Sequence, residues 1–199
     1  MAVTQTQAPA GTAQRILDVA ERLVQSRGYN GFSYADIAGE LGVTKASLHY
    51  HFASKAELGE ALIERYSARF TEALEGIDST SSGAGAKLDA YAALYADVLR
   101  GDRMCLCGML AAEYQTLPPP MRGSVIRFFD ENIAWLGSVL ADGRADATLS
   151  FDGSPADAAQ TVLGALQGAM LVARPYGDLA RFQAAARQTL GALSSTPAA

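Results

Sequence analysis

Apolar residues recur at intervals of three and four along most of the chain, the mark of amphipathic helices, and no convincing run alternates with the period of two that a half-buried strand needs. From Thr12 to Arg27 the inner stripe is Ile16, Ala20, Leu23 and Val24, and Gly28 closes it as a helix C-cap. Ser33 followed by Asp36 predicts the next helix start, with Ile37, Ala38 and Leu41 on its inner face and Gly42 as its stop. Thr44 then caps a third short helix running through Leu48 to Phe52, so only a turn around Gly42 and Val43 separates the two. Ser54 and Glu57 read as a capping box, hydroxyl and carboxylate each satisfying a free amide, and open a long helix that keeps Leu58, Leu62, Tyr66, Phe70 and Leu74 in step. The glycine- and serine-rich stretch 76–86 is expected to break that helix and connect two modules loosely.

Helical patterns resume over 88–99, 104–115, about 121–141, 155–174 and 179–193, with glycine, proline and aspartate at each interruption. The expected fold class is all-α, with about nine helices: a flexible tail at 1–11, a three-helix head containing a helix-turn-helix at 12–53, and a helical body at 54–199.

Composition narrows the function classes. With 49% hydrophobic and 19% charged residues in 199, the chain can bury a substantial core and is not a disordered one. A formal net charge of −5 argues against a surface coated with nucleic-acid-binding charge and leaves room for one small basic face. The two cysteines, Cys105 and Cys107, are too close in sequence to staple a secreted domain. The N-terminus lacks the apolar stretch of a signal peptide, and no uninterrupted apolar run reaches the roughly 18 residues of a membrane span. A cytoplasmic protein with no membrane contact is expected.

Both histidines of the chain, His49 and His51, fall within "VTKASLHYHFASKAEL", residues 43–58. Two short helices joined by a glycine-containing turn can form a helix-turn-helix, whose second helix enters the major groove of DNA. In that geometry small residues such as Ala46 and Ser47 permit close approach, Lys45, His49 and Tyr50 reach outward, and Leu48 and Phe52 anchor the inner face. Donors suited to phosphates are Thr44, Tyr50, His51 and Lys55, with Ser33 and Tyr34 at the start of the preceding helix. From Arg27 to Lys55 three basic residues (Arg27, Lys45, Lys55) face two acidic ones (Asp36, Glu40), so affinity should depend on salt less steeply than for a strongly basic binder. The same spacing also suits a plain helical hairpin with a solvated polar face.

Residues 16–62, with "GVTKASLHYHF" followed by "SKAEL", resemble the DNA-binding domain of the TetR family of bacterial transcriptional regulators. The resemblance implies a homodimer that binds double-stranded operator DNA through this head and a small-molecule effector through a variable helical body. Carried over to matching positions, it implies that Thr44, Tyr50, His51 and Lys55 contact the DNA backbone, and that Lys45, Ala46, Ser47 and His49 face bases. Position 49 is commonly tyrosine in the family; histidine here leaves the operator sequence open. The expected function is a sequence-specific transcriptional regulator, a repressor released from a palindromic operator by its effector.

In the body, the unusual stretch is 102–121, "DRMCLCGMLAAEYQTLPPPM". Met104, Cys105, Cys107, Met109 and Tyr114, with Tyr91, Tyr95, Phe128, Trp135 and Met170 on other helices, are candidates for an adaptable effector pocket, and would serve equally as ordinary core. Cys105 or Cys107 also offers an alternative, electrophile or oxidant sensing, if Arg103 stabilises a thiolate. Two cysteines with no nearby histidine make too few ligands for a closed zinc site, so no metal or cofactor is expected. No nucleophile elbow, phosphate loop or zinc-protease motif points to an enzyme. Val162, Leu166 and Met170, with Phe182 and Leu190 on the last helix, form apolar faces that could close the subunit core; the resemblance favours a two-fold interface instead.

Overall fold

The computed structural model describes residues 11–194, so of the tail expected at 1–11 all but Gly11 lies outside the described residues. Among the described residues there are nine α-helices and no strand: α1 (Thr12–Arg27), α2 (Tyr34–Leu41), α3 (Lys45–His51), α4 (Lys55–Thr80), α5 (Ala84–Arg100), α6 (Leu106–Ala112), α7 (Pro119–Ala145), α8 (Pro155–Ala173) and α9 (Leu179–Gly191). Short 3-10 turns at Tyr114–Thr116 and Arg174–Tyr176 follow α6 and α8. No helix of the described residues is long and apolar enough to cross a membrane.

The head is built by local signals. At the helix start expected from Ser33 and Asp36, the Asp36 carboxylate accepts from the Ser33 amide at 2.7 Å and so caps α2. Gly42 ends that helix in the left-handed region, φ 66°, which a side chain would disfavour, and this turns the chain into α3 within two residues. Thr44 Oγ1 then accepts from the Ser47 amide, at 3.2 Å. Ile16, Leu23, Ile37, Leu48 and Leu58 meet as the buried interior, so α3 is pinned through one side chain of its middle turn.

Two expectations needed correction. Helix α4 does not break at residue 76 but continues to Thr80, and only residues 81–83 separate it from α5. The reason is Ile77, which extends the inner stripe of Phe70 and Leu74 and is buried with them, outweighing the helix penalty of Gly76. Conversely, the helix expected from residue 104 begins only at Leu106, because the Met104 amide donates to the Gln25 carbonyl at the end of α1, 3.1 Å away, rather than entering a helix. At the start of α4, Ser54 accepts from Glu57 as a box requires, but the Glu57 carboxylate reaches back one residue further, to the Ala53 amide. In the body α7 packs on α4 and α8, α8 on α9, and α5 on both α7 and α9, leaving α6 between the head and this bundle.

Candidate nucleic-acid interface and the body behind it

Helix α3 divides its residues sharply between anchor and surface. Leu48 is buried in the head core, whereas Lys45, Ala46, His49 and Tyr50 are exposed and Ser47 is half-buried. Tyr50, a large aromatic, is 85% exposed and meets the neighbouring His51 ring edge to face. The face that could read bases is thus solvent-exposed among the described residues, with His49 steadied at its edge by Ala53 and Tyr34.

The expected phosphate donors differ in how free they are. The Ser33 hydroxyl donates to Asp36 at 2.6 Å, and that bond, with the Ser33 amide, holds the Asp36 carboxyl below its usual range. Tyr34 is buried and its hydroxyl donates to the Phe52 carbonyl at 2.9 Å; burial, aided by Glu57, pushes its pKa up to about 12. Thr44 is spent as a cap. Lys55 donates to the carbonyls of Tyr29 and Phe32 and lies over both rings, so its ammonium ties the α1–α2 loop to the start of α4. Desolvation lowers the Lys55 pKa, opposed by Glu113 and Asp36. In this conformation Lys55 holds the fold, and Tyr50 and His51 are the freer members of the phosphate set. Phe32, Ser33, Tyr34, Ala35, Lys45, His49 and Lys55 line a cleft of about 360 Å³ between α2 and α3.

Behind the head, α1 is held by the body at its last turn and the loop beyond. The Glu113 carboxylate accepts from the amides of Tyr29 and Asn30, and lies so close to Gly28 that a Cβ there would sit 2.7 Å from its oxygen. Arg174, after α8, donates to the Ser26 carbonyl and contacts Met109 Sδ at 3.7 Å. Along the side of α1, the nearly buried Glu21 pairs with Arg65 and Arg69 of α4, and Asp18 pairs with Arg65. None of these groups stood out in the sequence, because their partners lie more than 40 positions away and follow no local spacing.

The candidate pocket residues mostly meet, but as filled core. Tyr91, Tyr95, Cys105, Cys107, Phe128 and Met170 are each at most 1% exposed, and Met104 scarcely more, so they pack as interior; Phe128 also borders an open cleft between α4 and α7. Tyr66, Phe70, Tyr91, Tyr95 and Phe128 form a connected ring cluster with centroid separations from 5.2 to 6.1 Å. Its polar atoms are satisfied internally: Tyr91 donates to Asn132 Oδ1, the Tyr91 and Tyr95 hydroxyls share a bond, and Asn132 Nδ2 donates to the Phe128 carbonyl. Asn132 was missed, although a polar residue midway between Phe128 and Leu136 at spacings of four was a visible signal. Trp135 stacks on Tyr91, with Nε1 donating to Asp78, whereas Tyr114 lies apart in its 3-10 turn beneath Arg122. The Tyr66 hydroxyl contacts Cys105 Sγ at 3.6 Å. Burial pushes the Cys107 thiol pKa up, so that sulfur lacks the environment of a ready thiolate, and Arg103, expected beside Cys105, reaches toward Gln25 instead.

The residues expected at a two-fold interface are turned inward. Val162, Leu166, Met170, Phe182 and Leu190 are all buried within the single chain and have almost no surface left to cover. What α8 presents outward is Gly164 and Gly168 with Leu171 and Val172, followed by Tyr176; the last three are each 63% exposed. Open clefts lie elsewhere in the body: about 240 Å³ between α5 and α9, lined by Ala92, Ala96, Phe182 and Ala186 with Arg100 and Arg187, and about 370 Å³ between α4 and α7, where acidic Glu60, Glu64 and Glu131 join Arg127 and Phe128.

Comparison with known proteins agrees with this architecture at both ends. A family model described as bacterial regulatory proteins, tetR family, matches residues 16–62, and one described as tetracyclin repressor-like, C-terminal domain, matches residues 84–189. The HTH-type transcriptional repressor NemR of Escherichia coli K12 is 30% identical over 169 residues, covering 82% of this chain and 84% of the relative. The HTH-type transcriptional repressor DhaR of Mycobacterium sp. GP1 is 25% identical over 162 residues, or 79% of this chain and 80% of the relative. Among solved structures, a TetR family transcriptional regulator from Agrobacterium tumefaciens superposes with a TM-score of 0.89 at 32% identity, covering 92% of this chain and 97% of that one. The reduced form of E. coli NemR gives 0.79 at 27%, covering 95% and 100%.

Proposed function

The chain belongs to the TetR family of bacterial transcriptional regulators, and from that premise we propose that it is a homodimeric repressor which a small-molecule effector releases from a palindromic operator. The observation that carries this reading is the division of α3, with Leu48 locked in the head core and Lys45, Ala46, His49 and Tyr50 left facing outward. In this reading residues 12–53 read DNA, and residues 54–199 bind the effector and dimerise.

The dimer face is the outer side of α8 and the turn after it. Gly164 and Gly168 permit close helix approach, and Leu171, Val172 and Tyr176 supply the apolar surface that a single subunit leaves uncovered. Two subunits so joined would hold their α3 helices about 34 to 36 Å apart, one turn of DNA. Because the aromatic core is closed, an effector entering there must displace packed side chains. Such a change can shift α6 and reach the head through Met104, Glu113 and Arg174, which hold α1 and the loop after it.

A second reading, electrophile or oxidant sensing through Cys105 or Cys107, draws on the redox state named for the NemR structure. Both sulfurs are inaccessible here, so a sensor would first have to open α6.

Selection of bound duplexes from a random library tests the main reading. Enrichment of a palindrome, bound by two subunits, is expected; a sequence-independent profile from the reduced protein would overturn specific operator reading. Replacing both cysteines by serine then separates the two responses: a pocket effector still releases the variant from DNA, whereas a thiol sensor loses its response.

A further inference from the structure

The imidazole of His49 is fixed on one side. Its Nδ1 lies 3.1 Å from the Ala53 carbonyl oxygen, and because a carbonyl only accepts, that nitrogen must carry the proton. The ring also packs on Tyr34, with centroids 4.8 Å apart, which limits its rotation. In the neutral ring Nε2 is therefore an acceptor and nothing else; it becomes a donor only when the imidazole gains a second proton.

The surroundings decide which of these forms suits a ligand. His49 and Lys45 are four residues apart on one flank of α3 and line the same cleft beside the start of α2. The other titratable or charged groups around the cleft are Tyr34 and Asp36 on α2, with Lys55 and Glu57 beyond the turn, while His51 on the same helix as His49 faces Tyr50; Asp36 is committed to the Ser33 amide and hydroxyl. Tyr34 stays neutral through the ordinary pH range, and its hydroxyl is committed to Phe52. Glu57 is turned to the Ala53 amide, and Lys55 to the loop carbonyls. The exposed groups left to meet a ligand are Lys45 and Nε2 of His49. A lysine ammonium selects an acceptor, and DNA offers acceptors as phosphate oxygens and as guanine O6 and N7. A neutral Nε2 beside that acceptor would set lone pair against lone pair.

Resting on the DNA-reading assignment above, we propose that His49 engages the operator as an imidazolium, taking up one proton per subunit on binding and donating from Nε2 to a DNA acceptor adjacent to Lys45. The DNA polyanion favours the second proton, so binding and protonation reinforce each other. Operator affinity then rises as pH falls. The histidine that stands where the family commonly has tyrosine makes this head proton-dependent.

The test uses the full-length protein and a duplex selected from a random library at both pH 6 and pH 8, with dissociation constants read by fluorescence anisotropy at constant ionic strength. Wild type should tighten on the order of tenfold from pH 8 to pH 6. His49→Gln should flatten that dependence, and His49→Lys, a permanent cation, should bind at pH 8 about as wild type does at pH 6. Equal slopes on selected and unrelated duplexes would place the donor on a phosphate; a slope confined to the selected duplex would place it on guanine. Wild-type affinity that is flat or weakens toward pH 6 overturns the proposal, as does a wild-type slope retained by His49→Gln, which would put the proton elsewhere. If no duplex is enriched at either pH, the DNA-reading assignment itself fails, and this inference with it.

Discussion

Helices α3 and α6 are each seven residues long, too short to persist in water by themselves, yet they persist for opposite reasons. Helix α3 is held by the Thr44 cap, by Leu48 and by the contacts of His49 with Ala53 and Tyr34, and most of its remaining surface is unspent. Helix α6 buries Leu106, Cys107 and Leu110, follows the buried Met104 and Cys105, and is tied at both ends to the head, through Met104 to Gln25 and through Glu113 to the loop after α1. One helix is organised to meet something outside the chain. The other leaves only Ala111 and Ala112, at its end, exposed, so whatever disturbs its buried turn must also disturb what it touches. That contrast is the physical basis for a reader and a transmitter in one subunit.

The severest way to break the contrast is to remove packing from α6. Leu106→Ala should cost about 3 kcal/mol of stability in urea denaturation, because the side chain is wholly buried and its neighbours can close the void only in part. A cost under about 1 kcal/mol would mean that α6 yields easily and is not the tightly held element described above.

Next in size is the tie itself. Glu113→Ala strips the acceptor from the Tyr29 and Asn30 amides and should cost about 1 to 2 kcal/mol. Its more telling signature is local: hydrogen exchange at those two amides should accelerate while the α7–α8 core stays protected. Uniform acceleration throughout the chain would show that Glu113 serves global stability rather than the seating of the head.

The head was legible in the sequence because its determinants are local. Ser33 with Asp36, Gly42 and Thr44 each act within three or four residues, and the structure uses each as its position suggests. The body was legible as helices but not as surfaces. On α8 both the inward residues (Val162, Leu166, Met170) and the outward ones (Leu171, Val172) are apolar, so periodicity could not tell core from exposed face. The start of α6 was misplaced for a different reason: the Met104 amide is claimed by Gln25, 79 positions earlier, and no local pattern encodes such a bond. Most of the pocket candidates pack as interior, with Tyr114 apart, and whether such residues fill one another's volume is decided only by packing geometry.

Acid offers a milder probe of the closed body. The Asp78 carboxyl is held below its usual range, by Lys87 first and then by the Trp135 indole, and it fixes that indole over Tyr91. A depressed carboxyl stabilises the native state above its unfolded pKa of about 4, and the contribution disappears as pH falls through the lower native value. Because the carboxylate is largely exposed, the loss should stay under about 1 kcal/mol. Fluorescence of Trp135, the single tryptophan, should change below about pH 4 and the step should vanish in Asp78→Asn. A step that survives the substitution would assign it to another group.

The smallest expected change in stability is at Tyr50, and there the contrast is sharpest. Its ring is 85% exposed and its contact within the chain is the edge of His51, so Tyr50→Ala should shift unfolding by no more than about 0.5 kcal/mol. An aromatic side chain this exposed adds nothing to its own fold, and its plane and hydroxyl suit a sugar–phosphate edge or a base. Loss of operator affinity by about tenfold with an unchanged denaturation midpoint would therefore locate its role in the contact with DNA, consistent with a helix whose outer face is kept for a partner. If instead stability falls by more than about 1 kcal/mol while affinity holds, Tyr50 is a folding residue of α3, and the division between an unspent α3 and a committed α6 fails at its clearest position.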